Sequence, residues 1–120
     1  VTGRNVVAFL DKKADKTIVI GAHFDHLGMG GQGSLHRGDS AIHNGADDNA
    51  SGTAALLALA EILKHEELKN NGLFIAFSGE ENGLWGSNYF VKNPTIDMKT
   101  VNYMINMDMV GRFSDSSKTI

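Results

Sequence analysis

Histidine and carboxylate side chains recur at the carboxyl ends of apolar, strand-like runs, which is where open α/β sheets place their ligands. TIVIGA leads into His23-Phe24-Asp25, LFIAFSG into Glu80-Glu81, and VNYMINM into Asp108. A further acidic pair, Asp47-Asp48, closes a glycine-rich loop just before a long apolar helix. Strand tips lie together, so a histidine and several carboxylates should converge. That donor set suits a hard-to-borderline divalent metal such as zinc. With it comes metal-dependent hydrolysis.

Each signal has a plainer alternative. His23 and Asp25 are two apart and share a face of a strand, so one can bind a metal while the other steadies it through the free ring nitrogen. They could equally form a surface hydrogen-bonded pair. Asp47-Asp48, after Gly45, fits a turn whose charge favours a helix N-terminus. It also fits a ligand bridging two metals, with the second acid solvated or hydrogen-bonded. Glu80 and Glu81 at a buried strand tip repel, which raises one pKa. A bound cation relieves one of them and leaves the other as a general base. Asp108, between Met107 and Met109, is costly to bury unpaired; a salt bridge to Arg112 is the alternative to a ligand role. Of the other histidines, His26 suits packing or support of a ligand, and His65 sits in the charged end of a helix, where the dipole favours it. His36 and His43 lie in the long loop, and one of them could reach a metal or substrate.

The elements that must position these groups are short. Residues 5–10 and 17–22 are β-branched runs joined by a polar loop, as in an antiparallel pair. Residues 28–46 form a long glycine-rich loop without periodicity. A helix should start at Asn49 or Ser51. Residues 53–63 are apolar almost all round, which predicts burial on more than one side, and Asn70-Asn71-Gly72 should end the helix. Residues 73–78 resemble a central parallel strand, 86–92 a short amphipathic helix stopped at Asn93-Pro94, and 101–107 the next strand. The fold class is therefore α/β, a mixed, mostly parallel sheet flanked by helices.

Composition bounds the partners. The 120 residues allow one small domain, 42% hydrophobic, with a net charge of −3 and no basic patch for nucleic acid or an anionic membrane. Without cysteine, disulfides and thiolate ligands are excluded. The chain opens at Val1 and closes on Lys118-Thr119-Ile120, which looks like the start of another strand after a turn at 113–117. It is expected to be a piece of a longer protein.

GAHFDH, GADDNASGTAALLALAEIL, FSGEENGLWGS and NMDMVGR, in this order and spacing, resemble the zinc aminopeptidases of metallopeptidase family 28. The likeness runs from Asn5 to Arg112. It implies the phosphorylase/hydrolase-like zinc exopeptidase fold, with residues 1–120 as the N-terminal part of a single catalytic domain. By motif, His23 resembles a ligand of the first metal and Asp25 the acid that orients it. Asp47 resembles the carboxylate bridging both metals, with a cis Asp47-Asp48 peptide. Glu80 resembles the general base, Glu81 a ligand of the second metal, and Asp108 a ligand of the first. The family's second metal takes a further histidine well downstream of Asp108, whereas no histidine follows His65 here. Two zinc ions are thus implied for an intact site and one or fewer for this chain.

The resemblance implies release of amino-terminal residues from peptides, often by secreted or periplasmic proteins. Glutamate-carboxypeptidase-like or glutaminyl-cyclase-like activity, or a non-catalytic receptor-like domain, are the alternatives on this fold. Glutaminyl cyclases in the family use one metal and lack the paired acids. Surfaces left uncovered by truncation are expected to promote self-association.

Overall fold

The computed structural model describes residues 2–31, 33–112 and 116. Residues 113–115 and 117–120, where the sequence suggests a turn and a further strand, lie outside them. Four strands, β1 (Val6–Leu10), β2 (Thr17–His23), β3 (Asn71–Phe77) and β4 (Val101–Asn106), form one sheet in the order β1-β3-β2-β4. β2 runs parallel to β3 and to β4, and β1 is antiparallel to β3. The mixed, mostly parallel sheet expected of an α/β protein is present.

The expected β1–β2 hairpin is not. β3 lies between the two strands. Its run of apolar residues needs cover on both faces and a neighbour on both edges, and a central position supplies both. Asn71, expected at a helix end, instead opens β3. Its Oδ1 accepts the N–H groups of Lys12 at 2.8 Å and Ala14 at 3.2 Å, and its Nδ2 donates to the Ala14 carbonyl at 2.6 Å. One buried amide thus clamps the connection between β1 and β2.

Two helices, α1 (Gly52–Leu63) and α2 (Trp85–Lys92), cover opposite faces of the sheet. Val19, Leu73, Ile75 and Phe77 meet Phe90 of α2 on one face, while Ile20, Ala22 and Phe74 meet Leu56 of α1 on the other. Alternation along β2 and β3 thus splits a continuous apolar run into two cores, and each large side chain buried there contributes about 1.5–3 kcal/mol. α1 is covered on one face only: Leu57 and Ile62 stay 67% and 57% exposed, against the expectation of burial on more than one side. β4 is an edge strand that leaves Tyr103, Met104 and Ile105 about half exposed. No helix among the described residues is long and apolar enough to cross a membrane.

Candidate metal centre

Register sets the site. His23 pairs with Phe77, and Gly21 with Asn106, so β2, β3 and β4 end at one level. Glu80 and Asp108 follow just beyond those ends. The His23 ring is buried, with Nδ1 3.1 Å from the Asp25 carbonyl oxygen. A carbonyl only accepts, so Nδ1 carries the proton and Nε2 is left facing the acids. Nε2 lies 3.3 Å from Asp48 Oδ1 and 3.4 Å from Asp108 Oδ1. The other Asp48 oxygen, Oδ2, is 3.9 Å from Nδ1 of His26, which is itself 2.7 Å from Glu81 Oε1. Asp48 therefore turns one oxygen toward each of two triads: His23 with Asp108, and His26 with Glu81.

Its position comes from the 45–51 turn. Gly45 adopts a left-handed conformation with φ 63°, and its carbonyl accepts the Ala50 N–H at 2.9 Å. The Asp48–Asn49 peptide is cis. Buried Asn49 ties this turn to the end of β4, donating to the Met107 carbonyl at 3.0 Å and accepting from Met109 N–H at 3.3 Å. The same Oδ1 caps α1 by accepting the Gly52 N–H at 3.0 Å. Ser51, the other expected cap, instead donates to the Asp47 carbonyl and accepts from Val110 N–H.

Asp25 braces the other side. Its carboxylate accepts the backbone N–H groups of Glu80 at 3.0 Å and Glu81 at 3.3 Å, and lies 3.8 Å from His23 Nδ1. The contact that fixes the His23 ring is thus the Asp25 carbonyl, while the carboxylate holds the Glu80-Glu81 loop. Glu80 borders a pocket of 140 Å³ shared with His23, Asp108, Phe77, Leu84 and Met104. Burial raises the Glu80 pKa above the usual carboxylate range. His23 opposes that shift, while Glu81, Asp108 and Asp25 reinforce it. Desolvation, rather than repulsion from Glu81 alone, is the main cause.

The first triad fits a small divalent ion. Metal–donor bonds of about 2.0–2.1 Å in tetrahedral geometry set neighbouring donors about 3.3–3.4 Å apart. The separations from His23 to Asp48 and Asp108 match that spacing. In the second triad, the 2.7 Å contact between His26 and Glu81 is a hydrogen bond, closer than two ligands of one ion would stand.

Residues 5–119 match the model of peptidase family M28. The chain belongs to this family. This M28 chain is 34% identical over 120 residues to a probable leucine aminopeptidase of Arthroderma otae, covering 95% of this chain and 30% of that protein. A zinc aminopeptidase from Bacillus subtilis superposes with a TM-score of 0.71 at 32% identity, over 89% of this chain and 24% of the other. The glutaminyl cyclase of Porphyromonas gingivalis superposes with a TM-score of 0.76 at 26% identity, over 91% and 41%. The M28 chain therefore spans about a third of the length of the curated relative, and its sheet matches that of solved zinc exopeptidases.

Of the residues singled out in the sequence, the structure brings His23, Asp25, Glu80, Glu81 and Asp108 to one end of the sheet. Asp47 is the correction. Its Oδ1 accepts the Gly111 N–H at 2.9 Å, its Oδ2 lies 3.6 Å from Arg112 Nε, and it belongs to neither triad. Asp48 takes the shared position, and the cis peptide falls one residue later than expected. Adjacent side chains on this stretch of backbone diverge, and contacts with 110–112 decide which one turns inward. Arg112, considered as a partner for Asp108, sits against Asp47 instead.

His26 and Asn49 were the residues undervalued in the sequence. The second histidine of HFDH was the available signal for the first; Asn49 was marked only as a helix cap, and its tie to the end of β4 was not visible. His43 is engaged at both ring nitrogens, donating from Nδ1 to Ala41 at 2.9 Å and accepting from the Ser34 hydroxyl at 2.6 Å. His36 is exposed, and His65 lies 3.7 Å from Glu61 at the end of α1.

Proposed function

We propose that this end of the sheet is the zinc centre of an aminopeptidase, and that residues 1–120 form the amino-terminal part of one catalytic domain. The observation that carries this is Asp48, offering an oxygen to each triad beside Glu80 at the tip of β3. His23, Asp48 and Asp108 would hold the first ion. Bound zinc supplies a water of lowered pKa and an electrophile for the scissile carbonyl.

The chain's own groups do the rest. The Asp25 carbonyl holds the proton of His23 on Nδ1 and so keeps Nε2 free as a donor. The Asp25 carboxylate fixes the backbone of Glu80 and Glu81. Glu80 accepts a proton from the attacking water and returns it to the leaving amine; a raised pKa suits a group that must do both near neutral pH. The test is Glu80→Gln. Zinc content should be unchanged, while release of an amino-terminal leucine from an anilide should fall about 10²–10⁴-fold. Normal turnover in that variant excludes Glu80 as the base.

The likeness to a glutaminyl cyclase keeps one other activity in view. Cyclisation of an amino-terminal glutamine, with no release of leucine, would replace the peptidase proposal while leaving the metal centre in place.

A further inference from the structure

We infer that Asn5 is a positioning residue for Glu80: its side-chain amide ties together the two ends of the 78–86 loop that carries this acid, and so fixes where the carboxylate stands at the strand tips. The inference rests on the proposal that Glu80 is the base.

The loop is closed on itself. The N–H groups of Gly83 and Leu84 both donate to the Glu80 carbonyl at 2.9 Å, and Trp85 N–H donates to the Gly79 carbonyl at 2.9 Å. Gly79 and Gly83 take positive φ, 72° and 101°, which lets the chain turn this tightly. Glu80 therefore moves with its loop as one body, and its aim at His23 and Asp108 depends on how that body is fastened. Asp25 fastens the middle, through the Glu80 and Glu81 N–H groups. Asn5 fastens the ends. Its Oδ1 accepts the Ser78 N–H at 3.1 Å, where the chain leaves β3, and its Nδ2 donates to the Gly86 carbonyl at 2.8 Å, where α2 begins.

Strand register supplies the reach. β1 runs antiparallel to β3 with Val6 opposite Ala76, so the residue preceding β1 falls beside the exit of β3. At the other end, a Cβ on Gly86 would collide with Asn5 Oδ1 and with the Ser78 backbone, so the three groups meet because residue 86 has no side chain. An amide offers a fixed acceptor and a fixed donor on one short planar group, which is what two loop ends of opposite polarity require. α2 has its own anchor, since Phe90 is buried against the core of Ile75 and Phe77. What Asn5 adds is the placement of the loop, and a shift of about 1 Å in a reacting group can cost about 10²-fold in rate.

The test is site-resolved amide hydrogen exchange by NMR on the zinc-free 120-residue protein, with zinc content after loading measured alongside. In Asn5→Ala the amides of Glu80, Glu81, Leu84 and Trp85 should exchange roughly 10-fold faster or more, while those of β2 and of Val91 keep wild-type rates. Zinc content should be unchanged, because His23, Asp48 and Asp108 lie off the loop. Asn5→Asp keeps the acceptor and loses the donor, so protection of Ser78 N–H should return while Leu84 and Trp85 stay fast. Wild-type rates at Glu80 and Glu81 in Asn5→Ala overturn the inference, because Asp25 alone would then hold the loop. Uniform acceleration through β2 and α2 overturns it too, since that marks a merely structural role. If Asn5→Ala does not fold, Asn5→Asp decides: wild-type rates at Leu84 and Trp85, or failure of both variants to fold, overturn the inference. Exchange is read without zinc or substrate, so its outcome is separate from that of the Glu80→Gln test.

Discussion

His23 and His26 lie one strand tip apart from the same carboxylate, Asp48, yet they are held in different ways. His23 ends β2, is buried, and has its tautomer set by a backbone carbonyl. Its donor atom stands from Asp48 and Asp108 at the spacing a metal requires, with nothing to rearrange. His26 has left the sheet, is partly exposed, and closes on Glu81 through a hydrogen bond. Strand register preorganises the His23 triad, whereas His26 and Glu81 lie beyond the strand ends and are joined by a hydrogen bond. Rigid elements place ligands more accurately than loops.

The largest effect that could break this comparison is loss of the shared acid. Asp48→Asn should lose zinc by elemental analysis, while Asp47→Asn keeps it. Loss of metal in the Asp47 variant and retention in the Asp48 variant would reverse their assignment. Next comes Gly45→Ala. A side chain there meets the Asp48 carbonyl and the His26 ring at a positive φ, costing about 1–3 kcal/mol in chemical denaturation. Zinc affinity should weaken as well, because the same turn carries Asp48; unchanged affinity would mean that the turn takes up the added methyl without moving that carboxylate. Smallest is His43→Ala. It removes a ring whose hydrogen bonds stay within the 28–46 loop, so stability should change by about 1 kcal/mol or less and zinc content should be unchanged. Loss of an ion in that variant would place His43 at the centre instead of behind it.

The class of fold was legible because apolar strand-like runs alternate with helical ones, and that periodicity is a local property of the chain. Strand order was not. Nothing local says that β3 inserts between β1 and β2; that follows from which strand needs cover on both faces and a partner on both edges. α1 shows the same division. Its composition gave its existence, but which of its faces is covered depends on neighbours, and Leu57 and Ile62 remain in the open.

At the site, residue types and the ends of strands marked His23, Glu80, Glu81 and Asp108 as candidates, each with a plainer alternative, and it was the resemblance of four motifs in register that implied their roles. The choice between Asp47 and Asp48 was beyond the sequence. Both acids are adjacent, flanked by small residues, and chemically identical. Only the folded chain separates them: Gly111 and Arg112 claim Asp47, and buried Asn49 locks the turn so that Asp48 faces His23. His26 was recovered for the same reason, since its proximity to Glu81 spans a sequence separation of 55 residues and exists only once β2 and β3 lie side by side. The sequence by itself determined which donor types the chain carries and near which strand ends they fall, because both are written in the residues. Tertiary structure decided which donors meet, because a carboxylate becomes a shared ligand only where strand register and turn contacts aim its two oxygens at two different partners.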